Sequence, residues 1–309
     1  MDETLIFWRA LHFAATIQVV GVLIFRACVL RTEPPALLRY WLRLIFWISL
    51  ALALISGAGW LCAVAGSIDD ASWMTAVTDG TALTVLTDMQ FGRAWLVRLV
   101  VGLLLGIAAL ARRQDGISVL GVQMSLAIVF ASGLAFAGHG ASTPGRTGDM
   151  HLAADILHIL AVSAWLGGLL PYALYLSGLG PNEPVEAIAA IHDATRRFSN
   201  IGVVAVLTIS ITGIINTLNL VGSPKLLAET EYGRLLSIKI AIFLVMVMLA
   251  SINRFGLAPR LSESGTVSTL RRNTLIEAAL GLLILGIVAA LGTMPPTVLD
   301  HAGMQQLGR

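Results

Sequence analysis

Two histidines and an aspartate interrupt an otherwise apolar stretch, HLAADILHILAVSAWLGGLLP at residues 151–171. His151, Asp155 and His158 stand at positions i, i+4 and i+7, which places them within a strip about 60° wide on one helix face. Ionisable side chains inside an apolar segment of membrane length are costly to bury and are functional candidates by default. We therefore expect them to hold a ligand. Hydrogen bonds to neighbouring helices are the alternative.

The composition predicts an all-α, polytopic membrane protein. Of the 309 residues, 57% are hydrophobic and 12% are charged, and the mean hydropathy is +0.84. A soluble protein carries roughly twice that charged fraction. The net charge of +2 and the lack of a basic cluster predict no nucleic-acid partner. Cys28 and Cys62 lie in apolar runs and are expected to be buried packing thiols. No nucleotide-binding loop, HExxH or GxSxG motif occurs, so we do not expect an enzyme.

Eight apolar segments approach the roughly 20 residues that a helix needs to cross a bilayer. The predicted spans are Leu5–Leu30, Leu42–Gly66, Ala94–Ala111, Ile117–Ala137, Leu152–Ser177, Ile201–Val221, Leu235–Phe255 and Leu275–Thr293. Arginines gather after spans one, three, five and seven, and the long Ser67–Arg93 loop on the other side is acidic. Positively charged turns face the cytoplasm. Both termini are therefore expected in the periplasm of a bacterial inner membrane, with the lipid bilayer around the helices.

Landmarks recur in the same order in the two halves of the chain. Aligned on His12 and His158, LHFAATIQVVGVLI matches LHILAVSAWLGGLL; further on, FGR matches YGR, and Arg98 falls on Lys239. We predict one membrane domain over residues 1–309, built as a parallel 4+4 repeat related by a pseudo-twofold axis along the membrane normal. The first four-helix repeat covers 1–113 plus 114–137, and the second covers 138–309.

The repeat places His12 and His158 at equivalent depths, roughly 12 Å into their helices. If spans one and five meet at the axis, the two imidazoles could share a transition-metal ion or ligate haem iron axially. The alternative is two unrelated core histidines. Arg98 and Lys239 either extend to the membrane interface or neutralise Asp155 or another acid within the bundle.

Further potential ligands are expected nearer the outer surface. They are His139, Met150, His151, Asp155, Met294 and His301. Imidazole suits copper in either oxidation state, thioether favours Cu(I), and a carboxylate can ligate the ion or orient a histidine. Met150 points about 100° away from His151 on a helix, so a separate contact is the alternative for it. Toward the cytoplasmic side the sequence offers no equally clear series of ligands.

Most of the second half is covered by four segments: 151–171, RRFSNIGVVAVLTISITGIIN at 196–216, TEYGRLLSIKIAIF at 230–243 and GTMPP at 292–296. The first contains the run WLGG that begins at Trp165. These segments resemble the copper resistance D (CopD/PcoD) family, and the first half resembles it more loosely. The resemblance implies an eight-span inner-membrane protein that handles copper, alongside a separate periplasmic copper-binding partner of the CopC kind.

Together with this resemblance, these features predict a copper homeostasis protein that transports Cu(I) or Cu(II) across the membrane; import from the periplasm into the cytoplasm is what the resemblance implies. The expected metal ligands are His151, Asp155, His158, His12, His139 and Met150. The expected supporting residues are Arg98, Lys239, Trp165 and Met294. One alternative is a membrane redox protein that binds haem through His12 and His158. Another is a copper sensor or scaffold that does not transport.

Overall fold

The computed structural model describes residues 3–31, 33–68, 73–110, 117–137, 145–178, 185–221, 223 and 225–295, and these ranges contain helices and turns but no strand. The α-helices are α1 (Glu3–Ile24), α2 (Ala36–Ile68), α3 (Trp73–Thr78), α4 (Thr81–Asp88), α5 (Gln90–Leu110), α6 (Ile117–Ser132), α7 (Gly145–Ser177), α8 (Val185–Val221), α9 (Leu226–Glu229), α10 (Glu231–Ser251) and α11 (Thr266–Leu291). π-helical segments extend α1 over Phe25–Val29 and α10 over Ile252–Leu257.

Eight helical stretches within the described ranges are long and apolar enough to cross a membrane. This confirms the predicted helical fold and the predicted number of spans. Several predicted spans begin too late, and the largest differences are at α8 and α11, which begin at Val185 and Thr266. Their amphipathic ends continue the helix beyond the apolar core, which hydropathy alone does not detect.

The long loop between the second and third spans contains two short helices, α3 and α4, that the sequence did not predict. Gly80 has φ +89°, a conformation that glycine adopts without a Cβ penalty, and it turns the chain between them. Ala76 and Val85 then pack against Leu61 and Ala65 of α2. The two helices are too short for a span and owe their position to this contact.

Helices α1 and α7 cross with their backbones in contact. A Cβ built on Gly21 would overlap the backbone of Gly167, and one built on Gly167 would overlap the carbonyl oxygen of Ile17. Gln18 Nε2 donates a hydrogen bond of 2.9 Å to the Gly167 carbonyl. Small residues permit this close approach between membrane helices. The crossing places α1 in the centre of the bundle.

One end of the bundle is rich in arginine, and we call it the basic face. Arg197 Nε on α8 donates 2.8 Å to the Val29 carbonyl at the end of α1. Arg254, in the π-helical segment after α10, donates through Nη1 to Ser199 Oγ on α8 at 2.6 Å. Arg260 follows that segment, and Arg271 lies in the second turn of α11. The two hydrogen bonds bring the ends of α1, α8 and α10 to one side, where α11 contacts the π-helical segment after α10.

The outside of the bundle is apolar. Val204, Leu207 and Leu244 are among many large hydrophobic side chains with more than half of their surface exposed. A bilayer would cover this surface. Cys28 is exposed and Cys62 is half-buried. The expectation of buried packing thiols is therefore wrong for Cys28, because an apolar run in a membrane helix includes the side that faces lipid.

Candidate functional site

A cavity of about 240 Å³ lies between α1, α7, α8, α10 and α11. Most of its wall is apolar. Its polar lining consists of Arg9, His151, Asp155, His158, Asn216, Thr217, Tyr232 and Lys239. The predicted polar face of α7 therefore borders an open volume, with a lysine and an arginine from other helices.

His151 and Asp155 form the end of this site nearer the start of α7. His151 is only 2% exposed, and its Nε2 lies 3.9 Å from Asp155 Oδ2. Asn216 Nδ2 on α8 donates to Asp155 Oδ1 at 2.6 Å. Asn216 Oδ1 is buried and has no hydrogen-bond partner among the described residues. An unpaired buried acceptor costs about 1–3 kcal/mol, so a cation or a donor in the cavity would be stabilised there.

His158 is positioned by a hydroxyl group on α8. Its Nδ1 lies 2.8 Å from Thr212 Oγ1, and that hydroxyl donates to the Thr208 carbonyl at 2.6 Å. Because the hydroxyl proton is already committed, Nδ1–H is the donor to Thr212 and the lone pair resides on Nε2. Nothing in the described part of the chain hydrogen-bonds Nε2. A neutral imidazole held in this way is a competent metal ligand.

Lys239 borders the same site from α10. It is half-buried and lies near enough to interact electrostatically with both Asp155 and His158. Of the two alternatives for this lysine, the structure favours neutralisation of Asp155 within the bundle. The ammonium group offsets the charge of the carboxylate, so an entering cation would compete with Lys239 for Asp155.

His12 has a different environment. It is 1% exposed; Nδ1 donates to the Ala53 carbonyl at 2.9 Å, and Nε2 accepts from Arg98 Nη1 at 2.7 Å. Both ring nitrogens are therefore occupied. His12 is also absent from the residues that line the cavity, because it lies about 100° around α1 from Phe13, which does line it. His12 and His158, which were predicted to share one site, therefore contact different residues, and only His158 lines the cavity.

Arg98 is part of the His12 cluster. It is 4% exposed, and besides His12 it donates to the Phe130 carbonyl at 3.0 Å and to Thr16 Oγ1 at 3.2 Å. The alternative in which Arg98 extends to the interface is therefore wrong. Its partners are carbonyl, hydroxyl and imidazole groups, which share the cost of burying the guanidinium.

The remaining predicted residues are dispersed. Met150 is 69% exposed. Met294 packs with the group around Val221 and Tyr232. Trp165 is buried and packs against Phe243, with ring centroids 6.2 Å apart. His139 and His301 lie outside the described residues. Within the described ranges no three His, Cys, Asp or Glu side chains gather closely enough to hold a metal ion.

The sequence did not predict three residues of this site. Arg9 and Tyr232 line the cavity and Thr212 contacts His158, and these residues of three different helices meet the polar face of α7 only after packing. Thr212 had a signal, since it precedes Gly213 as Ser56 precedes Gly57. Asn216 links α8 to α7 through its hydrogen bond to Asp155.

The fold and the cavity define a polytopic helical protein that holds ionisable side chains within its membrane-spanning part. Residues 1–149 match the model of the copper resistance protein D-like N-terminal domain, and residues 192–291 match that of copper resistance protein D. The chain belongs to the copper resistance protein D family.

Three relatives illustrate the similarity. Copper resistance protein D of Pseudomonas syringae pv. tomato is 34% identical over 246 residues, which is 75% of this chain and 76% of the relative. Inner membrane protein YebZ of Escherichia coli K12 is 28% identical over 295 residues, or 93% and 97% of the two chains. Copper transport protein CutJ of Bacillus subtilis 168 is 28% identical over 228 residues, or 72% of this chain and 40% of the relative. No solved structure matches the chain.

Proposed function

We propose that this protein binds copper at the outer end of the cavity and carries it across the bacterial inner membrane into the cytoplasm. The observation that carries the proposal is the membrane-embedded cavity in which His151, Asp155 and the free Nε2 of His158 border one open volume. Imidazole and carboxylate suit copper as the substrate. The copper resistance and copper transport names of the relatives agree with it. The protein acts as a transporter and not as an enzyme.

Copper enters at His151 and Asp155 and passes to His158. Asn216 orients Asp155, and Thr212 fixes the tautomer of His158, so both ligands are pre-organised. His139 and Met150 deliver the ion from the periplasmic surface, where a separate CopC-like protein is the donor. Transport requires ligands that bind well enough to load the ion and weakly enough to release it; the competition with Lys239 supplies that limit.

The proposed orientation puts the basic face in the cytoplasm and both termini in the periplasm. Arg197, Arg254 and Arg260 support this assignment through the excess of positive charge on cytoplasmic turns. The inner-membrane location is supported by the relative named an inner membrane protein. His151 then lies toward the periplasmic end of α7.

The four-plus-four duplication is also part of the proposal. His12 meets Ser56 of the second span at 3.2 Å, as His158 meets Thr212 of the sixth. A Cβ on Gly92 would overlap the short helix α4, and one on Gly233 would overlap the short helix α9. These paired contacts support an origin by duplication, after which the second half kept an open site.

Copper uptake into proteoliposomes tests the transport proposal. The His158→Ala variant should lose uptake by at least tenfold, because it removes the deepest ligand of the cavity. His192→Ala is the matched control, since His192 lines a surface basin at the basic face, and it should transport like the unmodified protein. Uptake that survives His158→Ala would contradict the proposed path. Metal content after purification in copper gives the number of sites.

The haem alternative required both His12 and His158 as axial ligands. The engagement of both His12 nitrogens disfavours it, and a reduced-minus-oxidised absorption spectrum without a haem band would dismiss it. A sensor or scaffold that does not transport would bind copper yet show no uptake in the same proteoliposomes.

A further inference from the structure

A second carboxylate is buried nearer the basic face than the His151 site. Glu277 of α11 is 2% exposed. Its Oε1 accepts a hydrogen bond of 2.6 Å from Asn253 Nδ2, and Asn273 Nδ2 donates to Asn253 Oδ1 at 2.9 Å. Asn253 lies in the π-helical segment Ile252–Leu257. Such segments are frequent at functional sites because they re-aim side chains.

Glu277 lines a cavity of about 190 Å³ between α7, α8, α10 and α11. The polar groups that border it are Tyr172, Thr195, Ser199, Ser251, Asn253, Arg254, Thr274 and Glu277. The Tyr172 hydroxyl donates to Thr195 Oγ1 at 2.8 Å. The cavity is therefore a pocket of oxygen and amide groups, although apolar residues form most of its wall.

The carboxylate of Glu277 is not neutralised by an ion pair. In the described ranges no Lys, Arg or His nitrogen lies within 4.0 Å of it, and no donor hydrogen-bonds Oε2. Arg254 borders the same cavity, but its Nη1 bonds Ser199 Oγ at 2.6 Å and Asn200 Oδ1 at 3.1 Å. An unpaired carboxylate inside a membrane protein is costly and is characteristic of ion paths and proton relays.

The cavity joins the basic face. It has Ser199, Arg254 and Phe255 in common with a basin lined also by His192 and Asp193. In the other direction its wall includes Trp165, which also lines a cavity of about 370 Å³ that contains His158 and Lys239. Glu277 thus lies between the basic face and the indole of Trp165, which borders the 370 Å³ cavity beside His158.

The ligand chemistry of this pocket differs from that of the copper site. None of the residues that line it is a histidine, cysteine or methionine, so it lacks the ligands that copper prefers. The titratable and charged groups that face Glu277 are Tyr172 from α7 and Arg254 from the segment after α10; the residues of α8 that line the pocket are uncharged. A proton is the cation that this carboxylate can take without further ligands.

We propose that Glu277 is a proton-binding site reached from the basic face, and that its protonation is coupled to the passage of copper past Trp165. Oε2 takes up the proton and no other bond breaks, while Asn253 continues to donate to Oε1. The coupling rests on the proposed transport of copper, whereas the proton-binding site does not.

Infrared difference spectra of the full-length protein, recorded on a pH change without copper, test the proton site. A carboxyl band should appear in the unmodified protein and disappear in Glu277→Gln. The matched control is Glu263→Gln, because Glu263 is exposed in the turn before α11; its spectrum should keep the band. Glu277→Asp should keep a shifted band and shows that the pocket is intact. A band unchanged in Glu277→Gln would overturn the proposal, whatever the protein does with copper.

Copper uptake into proteoliposomes with and without a pH gradient tests the coupling. The gradient should change the uptake rate of the unmodified protein and of Glu263→Gln at least tenfold, and that of Glu277→Gln by less than twofold. Copper affinity of the His151 site should be equal in all three. A gradient effect that persists in Glu277→Gln would refute the coupling. If the unmodified protein takes up no copper, the transport function fails, and the infrared band alone decides the proton site.

Discussion

At the level of single residues, the cavity combines side chains that attract a cation with one that repels it. The lone pair of His158 and the carboxylate of Asp155 attract a cation, while Lys239 repels one. His151 completes the outer end, where it is buried yet near the start of the span. Under the proposed function, the affinity for copper depends on a few side chains that Asn216 and Thr212 orient before the ion arrives.

His151→Ala should weaken copper binding at least tenfold, which corresponds to about 1.4 kcal/mol. The imidazole is lost while α7 keeps its contacts with α8, so the melting temperature should change little. Isothermal titration with copper measures the affinity. His192→Ala provides the control, because His192 lines a separate basin at the basic face. Equal affinity in the His151 and His192 variants would exclude His151 as a ligand.

Helical periodicity was sufficient to predict that His151, Asp155 and His158 share a face, because they belong to one helix. Periodicity could not predict the contacts of His12, because its partner Arg98 is 86 residues away. The packing of α5 brings the two side chains together. Glu277 was missed for a similar reason: a single acid near the start of an apolar span resembles an interface residue until Asn253 and the cavity are seen.

At the level of helices, the eight spans followed from hydropathy, whereas their contacts did not. The order of landmarks aligned Gly21 with Gly167, and the structure puts these two glycines against each other where α1 and α7 cross. The short helices α3 and α4 and the long polar start of α8 were not predicted. They depend on packing and on amphipathic ends, to which a search for apolar runs is insensitive.

Gly167→Ala should destabilise the protein by about 1–3 kcal/mol, the usual cost of overpacking. The new Cβ would overlap the Ile17 carbonyl oxygen, and backbone atoms cannot move aside as a side chain can. Gly286→Ala is the control, because open space surrounds that position on α11. Alanine there should be neutral or stabilising by up to about 1 kcal/mol through helix propensity. Thermal unfolding in detergent compares the two, and equal melting temperatures would contradict the close crossing.

At the level of the whole molecule, the two halves hold their histidines differently. The His12 cluster is closed by Arg98, whereas the His158 site opens into connected cavities. The open volumes lie beside α7, α8, α10 and α11. The proposed direction of copper movement through the second half depends on the proposed orientation.

The orientation predicts which chain positions a membrane-impermeant thiol reagent can reach. In a Cys28→Ser, Cys62→Ser background, Glu3→Cys should be labelled from the periplasm of intact spheroplasts, and Glu263→Cys should not. Permeabilised membranes serve as the control, since both positions should then react. Labelling of Glu263→Cys in intact spheroplasts would reverse the orientation and, with it, the assignment of the two ends of the cavity.

The crossing of α1 and α7 also limits how the molecule can change shape. Two backbones already in van der Waals contact cannot move closer, and sliding them apart would break the bond from Gln18 to Gly167. The crossing therefore holds α1 and α7 at a fixed distance from each other. Widening of the cavity that leaves this bond intact has to come from tilting of α8, α10 and α11 around a stationary pair of helices.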